Sequence, residues 1–469
     1  MRILFFIHSK FKKTSFKPAS SRWLGGMVLC AVLSAQNCSY DKEEEPLEYQ
    51  SATEIALTWN HLALDLERNT IGYRSPVGAR MFAYVEMAAY EASLPALHDY
   101  ISLENYLSGY EKSSTKFGEG QFYLPASLNA AYAQILRNFF PTAPASLQQQ
   151  INLLEKQNAQ SFLQHTNSIK AEQSVEFGKS VAAAVWAWSK TDREGNEGYL
   201  YNFDRGYEPP NCASCWQPTG EHPMPALLPY WGRVRTFVAD STALLFRNPA
   251  PYEEVLGSKF YTEAMEVYTV SKPLSKENRW IAEFWSDDLP GLTMSPAGRW
   301  ISIANQAFEK ARPPFPLVME TYLKTAFAVC DAGILVWKGK YIFNVERPET
   351  FIRAHTNPEW KSLHDTPNFP AYPSGHAAFG AAASEVLTDA LGKNFKLTDR
   401  THEKRPEFAS APRSYGSFAE MAQENAASRV LLGVHYRMDC EEGLRLGKII
   451  GQKVVNLPLK RKEAGLMKL

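Results

Sequence analysis

No apolar run after residue 40 reaches the roughly 20 residues that a membrane-spanning helix needs, so no such helix is expected beyond the leader. Net charge is also missing: 50 Lys and Arg balance 50 Asp and Glu. No global field therefore recruits nucleic acid or an anionic membrane surface, and any anion binding has to be local. Cysteine is scarce, with six in 469 residues. The pair Cys212-Ala-Ser-Cys215 has neither a second CxxC nor a nearby His pair to complete a tetrahedral zinc site, and reads as a local disulfide. Cys330 and Cys440 fall in apolar helical patterns and read as small core residues. Rows of alternating strand residues and repeats of fixed period are absent too, which leaves a mainly α protein, soluble once processed. What is there is 45% hydrophobic, ample for one or two buried cores.

The first forty residues read as an export signal. Arg2, Lys10, Lys12, Lys13, Lys17 and Arg22 precede an apolar segment, Leu24 to Ala35, too short to cross a bilayer and suited to a signal h-region. Cys38 stands where a lipid-attachment cysteine would, although Ala35-Gln36-Asn37 departs from the usual lipobox in its first and last places. Behind it, Asp41-Lys42-Glu43-Glu44-Glu45 resembles the acidic tether of bacterial surface lipoproteins, whose charge keeps a linker solvated. The expectation is a signal peptide over 1–38, a tether over 39–50, and an exported lipoprotein facing periplasm or cell surface, in contact with membrane only through a lipid at Cys38.

Ser51-Ala-Thr-Glu54 has the form of a capping box, opening a helix with Ile55, Trp59, Leu62, Ala63 and Leu66 at helical spacing. Further helices are predicted after Pro76, from Pro125, and over about 145–165 and 173–189. From Thr191 to Pro229 the period vanishes; a stretch of that length rich in Gly, Pro and Asn is a linker or a functional surface loop, and is placed as the domain boundary. Helical patterns return over Lys276 to Trp285, Arg299 to Lys310, and Leu317 to about Trp337. The predicted fold is all-α with two bundle-like halves: an N-terminal helical domain over 51–190, the irregular segment 191–229, and a C-terminal helical domain over 230–469 that carries the chemistry.

Three short motifs lie in that second half. Lys340 and Arg347 are seven residues apart, two helical turns, so a continuing helix puts both cations on one face before Pro348 stops it. In Phe369-Pro-Ala-Tyr-Pro-Ser374-Gly375-His376, the prolines stiffen the approach to a helix N-terminus, where free N–H groups, the dipole and the Ser374 hydroxyl attract an anion. His376 then falls in the first turn, placed for proton transfer. In Ser428-Arg429-Val-Leu-Leu-Gly433-Val-His435-Tyr-Arg-Met-Asp439, Arg429 and His435 share a site only if Gly433 marks a break and a new helix begins near His435. His435 and Asp439 then share a face, and the carboxylate fixes the imidazole tautomer, leaving the other nitrogen as nucleophile or metal ligand. Each motif alone has a plain reading as a solvated basic helix end, a turn, or a surface pair.

Together, Lys340-x6-Arg347-Pro348, Pro373-Ser374-Gly375-His376 and Ser428-Arg429-x5-His435-x3-Asp439 resemble the signature of the type 2 phosphatidic acid phosphatase and vanadium haloperoxidase superfamily. The resemblance covers about a hundred residues. It implies that Lys340, Arg347, Ser374, Gly375 and Arg429 bind the oxygens of phosphate or vanadate, that His376 is the acid/base, and that His435, held by Asp439, is the axial group. In a haloperoxidase His435 ligates vanadium and vanadate is the cofactor for oxidising halide with peroxide; in a phosphatase it attacks phosphorus to form a phosphohistidine, with no cofactor. The want of transmembrane helices, the long helical N-terminal half, and the string from Phe369 to Phe379-Gly380, similar to the fungal chloroperoxidase segment, point to the soluble haloperoxidase arm. Phe369 and Trp337 fall where those enzymes keep aromatics near the halide. The alternatives are a soluble phosphatase of phosphomonoesters and a surface oxyanion- or glycan-binding lipoprotein without turnover; a pure binder has no need of both an oriented histidine and a proton-transfer histidine. The implied partners are small molecules, either halide and peroxide or a phosphoester, and not nucleic acid.

Overall fold

A computed structural model describes residues 45–461 apart from 193, 220–222, 241–245, 272, 288, 290, 404 and 406–410. The expected signal segment, Cys38 and the start of the acidic tether lie outside the described residues. From Glu45 onward the described residues form one compact unit.

Five helices build the first bundle: α1 (Leu47–Asn69), α2 (Val77–Ser93), α3 (Leu124–Phe139), α4 (Ala145–Ala159) and α5 (Ser168–Ser189). Pro76 precedes α2 and Pro125 sits in the first turn of α3, positions where a helix has no use for the missing N–H. α1 starts earlier than its Ser51-to-Glu54 pattern implies, at Leu47 behind Pro46. Tertiary contacts order that extra turn: Glu48 accepts from the Leu124 amide at 2.7 Å, and the Tyr49 hydroxyl donates to the Ala96 carbonyl at 2.8 Å. α2 is buried on every side, which places it in the middle of the bundle against α3, α5 and α9.

The second half contains α6 (Lys259–Val270), α7 (Lys276–Phe284), α8 (Pro296–Ala311), α9 (Phe315–Phe343), α10 (Pro348–His355), α11 (Gly375–Leu391), α12 (Phe418–Leu431) and α13 (Arg437–Val455). α6 is not among the expected helices; only Phe260, Ala264 and Val267 are buried on it, too narrow a stripe to stand out in sequence. α9, with 29 residues, is the spine, roughly 43 Å long at 1.5 Å per residue. It packs on α2 in the first bundle and on α8, α11 and α13 in the second, and one hydrophobic cluster takes in residues from both halves. Strands among the described residues are two short antiparallel ladders, β1 (Phe203–Asp204) with β2 (Ala226–Leu227) and β3 (Leu397–Asp399) with β4 (Arg413–Tyr415). The fold is all-α. Among the described residues no helix is long and apolar enough to cross a membrane.

α11 is the hub of the second bundle, packed on α13, α9, α12 and α8. Gly443, Gly447 and Gly451 recur every four residues on α13, on one face. A Cβ at any of them would drive into the carbonyl oxygen of Ser374, Ala378 or Ala382, the farthest at 2.6 Å. The two helices therefore run parallel at backbone contact, and their starts, which carry the second and third motifs, are held side by side. Cys212 and Cys215 form a disulfide, and Cys330 and Cys440 are free and buried, as the sequence implies.

Candidate active site

Lys340 projects from the last turn of α9, fully buried, and its ammonium donates to the carbonyls of Pro370 (3.0 Å), Ala371 (3.0 Å) and Pro373 (2.6 Å). All three of its protons are thereby engaged with the backbone that leads into the second motif. Burial first, and then the neighbouring Arg347, push its pKa well below that of an ordinary lysine. The helix stops because Asn344 turns left-handed (φ +54°), a conformation asparagine tolerates, while its amide still bonds the Lys340 carbonyl at 2.8 Å.

This corrects the expected continuous helix through Lys340 and Arg347. Arg347 lies in extended backbone as the cap residue of α10, and Pro348 opens that helix where it was expected to close α9. The two cations converge nonetheless, one from the end of a helix and one from the start of the next, each 5.0 Å from the centre of the Phe369 ring. Arg347 is fully buried; its guanidinium donates to Phe369 O (2.8 and 3.1 Å) and Val434 O (2.8 Å), and reaches His435 Nε2 at 3.2 Å.

Ser374 is the cap of α11, its hydroxyl accepting from the Ala377 amide, and its own amide donates to the Asp439 carbonyl at 2.9 Å, tying the second motif to the third. His376 follows in the first turn, as expected. Its Nε2 is buried without a hydrogen-bond partner, while its carbonyl accepts from Asn425 Nδ2 at 3.0 Å. Burial first, then Arg429, Lys340 and Arg347, push its pKa well below the histidine range, so the ring is neutral.

Gly433 makes the expected break. At φ +84° it reverses the chain between α12 and α13, and brings Arg429 and His435 to one side. His435 Nδ1 lies 2.9 Å from Asp439 Oδ2, which also accepts from the Tyr436 amide at 3.0 Å. A carboxylate only accepts, so Nδ1 carries the proton and Nε2 presents its lone pair to the cations. Burial raises the Asp439 carboxyl to about 7 against the pull of Lys340 and Arg347, and burial followed by Arg347 and Lys340 keeps His435 well below an ordinary histidine.

A cavity of about 510 Å³ is lined by Trp337, Phe369, Gly375, His376, Arg429 and His435 among others. Lys340, Arg347 and Ser374 are not part of its wall; they are fully buried. Trp337 and Phe369 stand with ring centres 5.0 Å apart. The eight site positions read from sequence thus gather at one end of the second bundle with both aromatic candidates, and Lys340 and Arg347 both feel the Asp439 carboxylate.

Sequence reasoning missed a second charged group in the same wall. Asp287 lines the cavity, 3.3 Å from Arg299 Nη1 and 3.1 Å from His402 Nε2, and Arg299 also holds Asp399 at 2.8 Å, all of them buried. Burial raises the Asp287 carboxyl, but Arg299, His402 and Arg429 outweigh it and hold it below the usual carboxylate range. The one available signal was Arg299 itself, a charge beside Trp300 and Ile301 in the apolar stripe of α8.

Residues 320–461 match the family described as the VCPO second helical-bundle domain. The vanadium chloroperoxidase of Curvularia inaequalis is 24% identical over 495 residues, covering 85% of this chain and 80% of that protein. The crystal structure of the first bacterial vanadium-dependent iodoperoxidase superposes with a TM-score of 0.72 at 29% identity, over 88% of this chain and 96% of that one. A holo-type bacterial vanadium-dependent chloroperoxidase shares the fold with a TM-score of 0.64 at 17% identity, over 84% and 92% of the two chains.

Proposed function

We infer, for a chain that belongs to the enzyme superfamily of vanadium haloperoxidases and type 2 phosphatidic acid phosphatases, that it binds vanadate and oxidises a halide with hydrogen peroxide. The observation that carries this reading is the fixed imidazole. With Nδ1 committed to Asp439, His435 Nε2 is left as a neutral lone-pair donor that faces the cavity beside Arg347. The residues fit vanadate: Arg347, Arg429, Ser374 and Gly375 would hold its oxygens and His435 Nε2 the vanadium. Lys340 would contribute charge at a distance, or a direct bond on giving up one of its carbonyls. Bound there, vanadate would supply the Lewis acid that activates peroxide toward halide.

The chain's own residues do the rest. Asp439 holds the tautomer; His376 Nε2, buried and without a partner, is set to take or give a proton at the cavity face. Trp337 and Phe369 form an apolar wall that sheds water from an arriving halide, with the cations behind Phe369 drawing the anion in. The test is to assay purified protein lacking residues 1–38, with and without vanadate, for oxidation of chloride, bromide and iodide by peroxide, beside hydrolysis of a generic phosphomonoester. Halide oxidation that appears only with vanadate is the expected result. Phosphomonoester hydrolysis that vanadate inhibits, with no halide oxidised, would overturn the reading.

A further inference from the structure

We propose that the Cys212–Cys215 disulfide is a positioning element of the oxyanion site, acting through the backbone segment that delivers Arg347. This rests on the reading of the site as an oxyanion site. The segment in question, 344–346, is the link between α9 and α10: Lys340 lies just before it, Arg347 just after, and apart from the left-handed Asn344 it is extended chain. Extended chain between two helices has no internal hydrogen bonds to hold its shape, so its neighbours must supply them.

They come from the turn that the disulfide closes. The Trp216 amide donates to Asn344 O at 2.7 Å and the Glu346 amide donates to Ser214 O at 2.9 Å, with Cys215 and Val345 paired as an antiparallel bridge. From the other side the Ala371 amide donates to Val345 O at 2.9 Å, and the Ala371 carbonyl is one of the three that hold the Lys340 ammonium. Three backbone segments therefore lie side by side, and the disulfide turn is the outer one. Within it, Cys215 N donates to Cys212 O at 3.1 Å. Its inner end is anchored by Trp216, whose side chain is fully buried, while Cys212 is exposed.

The cross-link keeps the turn in the one shape that aims Ser214 O and Trp216 N–H at 344–346, so those bonds form without ordering the turn anew. Exposure leaves the bond open to thiol–disulfide exchange: a small dithiol donates two electrons, leaving two protein thiols and its own cyclic disulfide. With the turn released, the segment keeps the Ala371 bond to Val345 O and the Asn344 side-chain bond to the Tyr207 hydroxyl but loses both backbone bonds of its outer side, Arg347 samples a wider range, and a site that depends on a fixed guanidinium binds its anion less tightly.

Titration calorimetry of the full chain with inorganic phosphate and tungstate, neither of which a dithiol reduces, tests this on oxidised protein, dithiol-reduced protein and the Cys212→Ser/Cys215→Ser variant. Amide hydrogen exchange at Trp216 and Glu346 is followed in parallel. The expected result is a tenfold or greater loss of affinity on reduction and in the variant, faster exchange at both amides, and recovery of both readouts when the reduced protein is reoxidised. Affinity within twofold after reduction, or a loss that reoxidation does not restore, overturns the proposal. If the variant does not fold, the reduced wild-type chain decides alone. If oxidised protein binds neither anion, the oxyanion reading fails on its own, and unchanged exchange at Glu346 on reduction would still overturn the positioning role.

Discussion

Replacing Asp439 by asparagine removes a charge from the site and almost nothing from its shape. One carboxylate oxygen takes two N–H groups, from His435 Nδ1 and the Tyr436 amide, and the other is buried with no hydrogen-bond partner. The asparagine oxygen can inherit both bonds, but as neutral ones. A charge-assisted bond is roughly twice as strong as a neutral one, whose net worth is about 1 kcal/mol, so two of them weaken by about 1–3 kcal/mol together. That loss releases His435 from its single tautomer and appears in anion binding as about a tenfold to hundredfold weaker affinity. The new amide N–H groups fall where the unpartnered oxygen is buried, which costs a further 1–3 kcal/mol, roughly, of folding stability. Electrostatics pulls the other way, because a site short of one negative charge attracts an oxyanion more strongly. The sign of the change therefore decides between anchor and counter-charge. Calorimetry with vanadate and phosphate at pH 8, above the Asp439 value of about 7, with urea unfolding alongside, gives the answer. Unchanged or tighter binding in a folded variant would show that the imidazole needs no anchoring, and the role given to the pair would be wrong.

Gly433→Ala puts a side chain at φ +84°, with its Cβ 2.9 Å from Trp360 Cη2. Left-handed strain of about 1–2 kcal/mol plus that contact should lower the urea midpoint, and phosphate affinity should fall with it as His435, two residues on, shifts; full affinity in the destabilised variant would show that the turn does not place the histidine. Glu86, in the middle of the first bundle, has its carboxyl raised to about 8 by burial. Between about pH 4.5 and 8 the unfolded chain has lost that proton while the folded chain keeps it, so stability falls as pH rises through the window, by up to about 5 kcal/mol. Glu86→Gln should flatten the profile and raise stability most at pH 9, and an unflattened slope in urea unfolding would assign the dependence to other groups.

The three motifs were legible because each completes its geometry locally. Ser374 caps the helix it begins, and Gly433 breaks the chain where a six-residue gap demands it. Asp439 lies one turn beyond His435 and can only face it. Arg347 was misplaced for want of a comparable mark: a left-handed Asn344 ending a long apolar helix looks like any asparagine, and a proline is read equally as a stop or a start. Asp287, Asp399 and His402 left no mark in the sequence, and Arg299 only that of a charge in an apolar stripe, because four residues from three separate segments meet only in the fold. The extra turn of α1 and the short helix α6 owe their order to neighbours, which local periodicity does not register.

The glycines at 443, 447 and 451 have a use for anyone who wants to alter the protein. They act as a spacer of zero thickness between the two helices whose starts carry Ser374 and Asp439. One methyl group at Gly443 is a shim at the site itself, while one at Gly451, two turns away, acts on a lever whose fulcrum is the Gly447 contact. Each added methyl group would meet a backbone carbonyl that has to move, so such shims would shift Ser374 relative to Asp439 without replacing any residue of the candidate site.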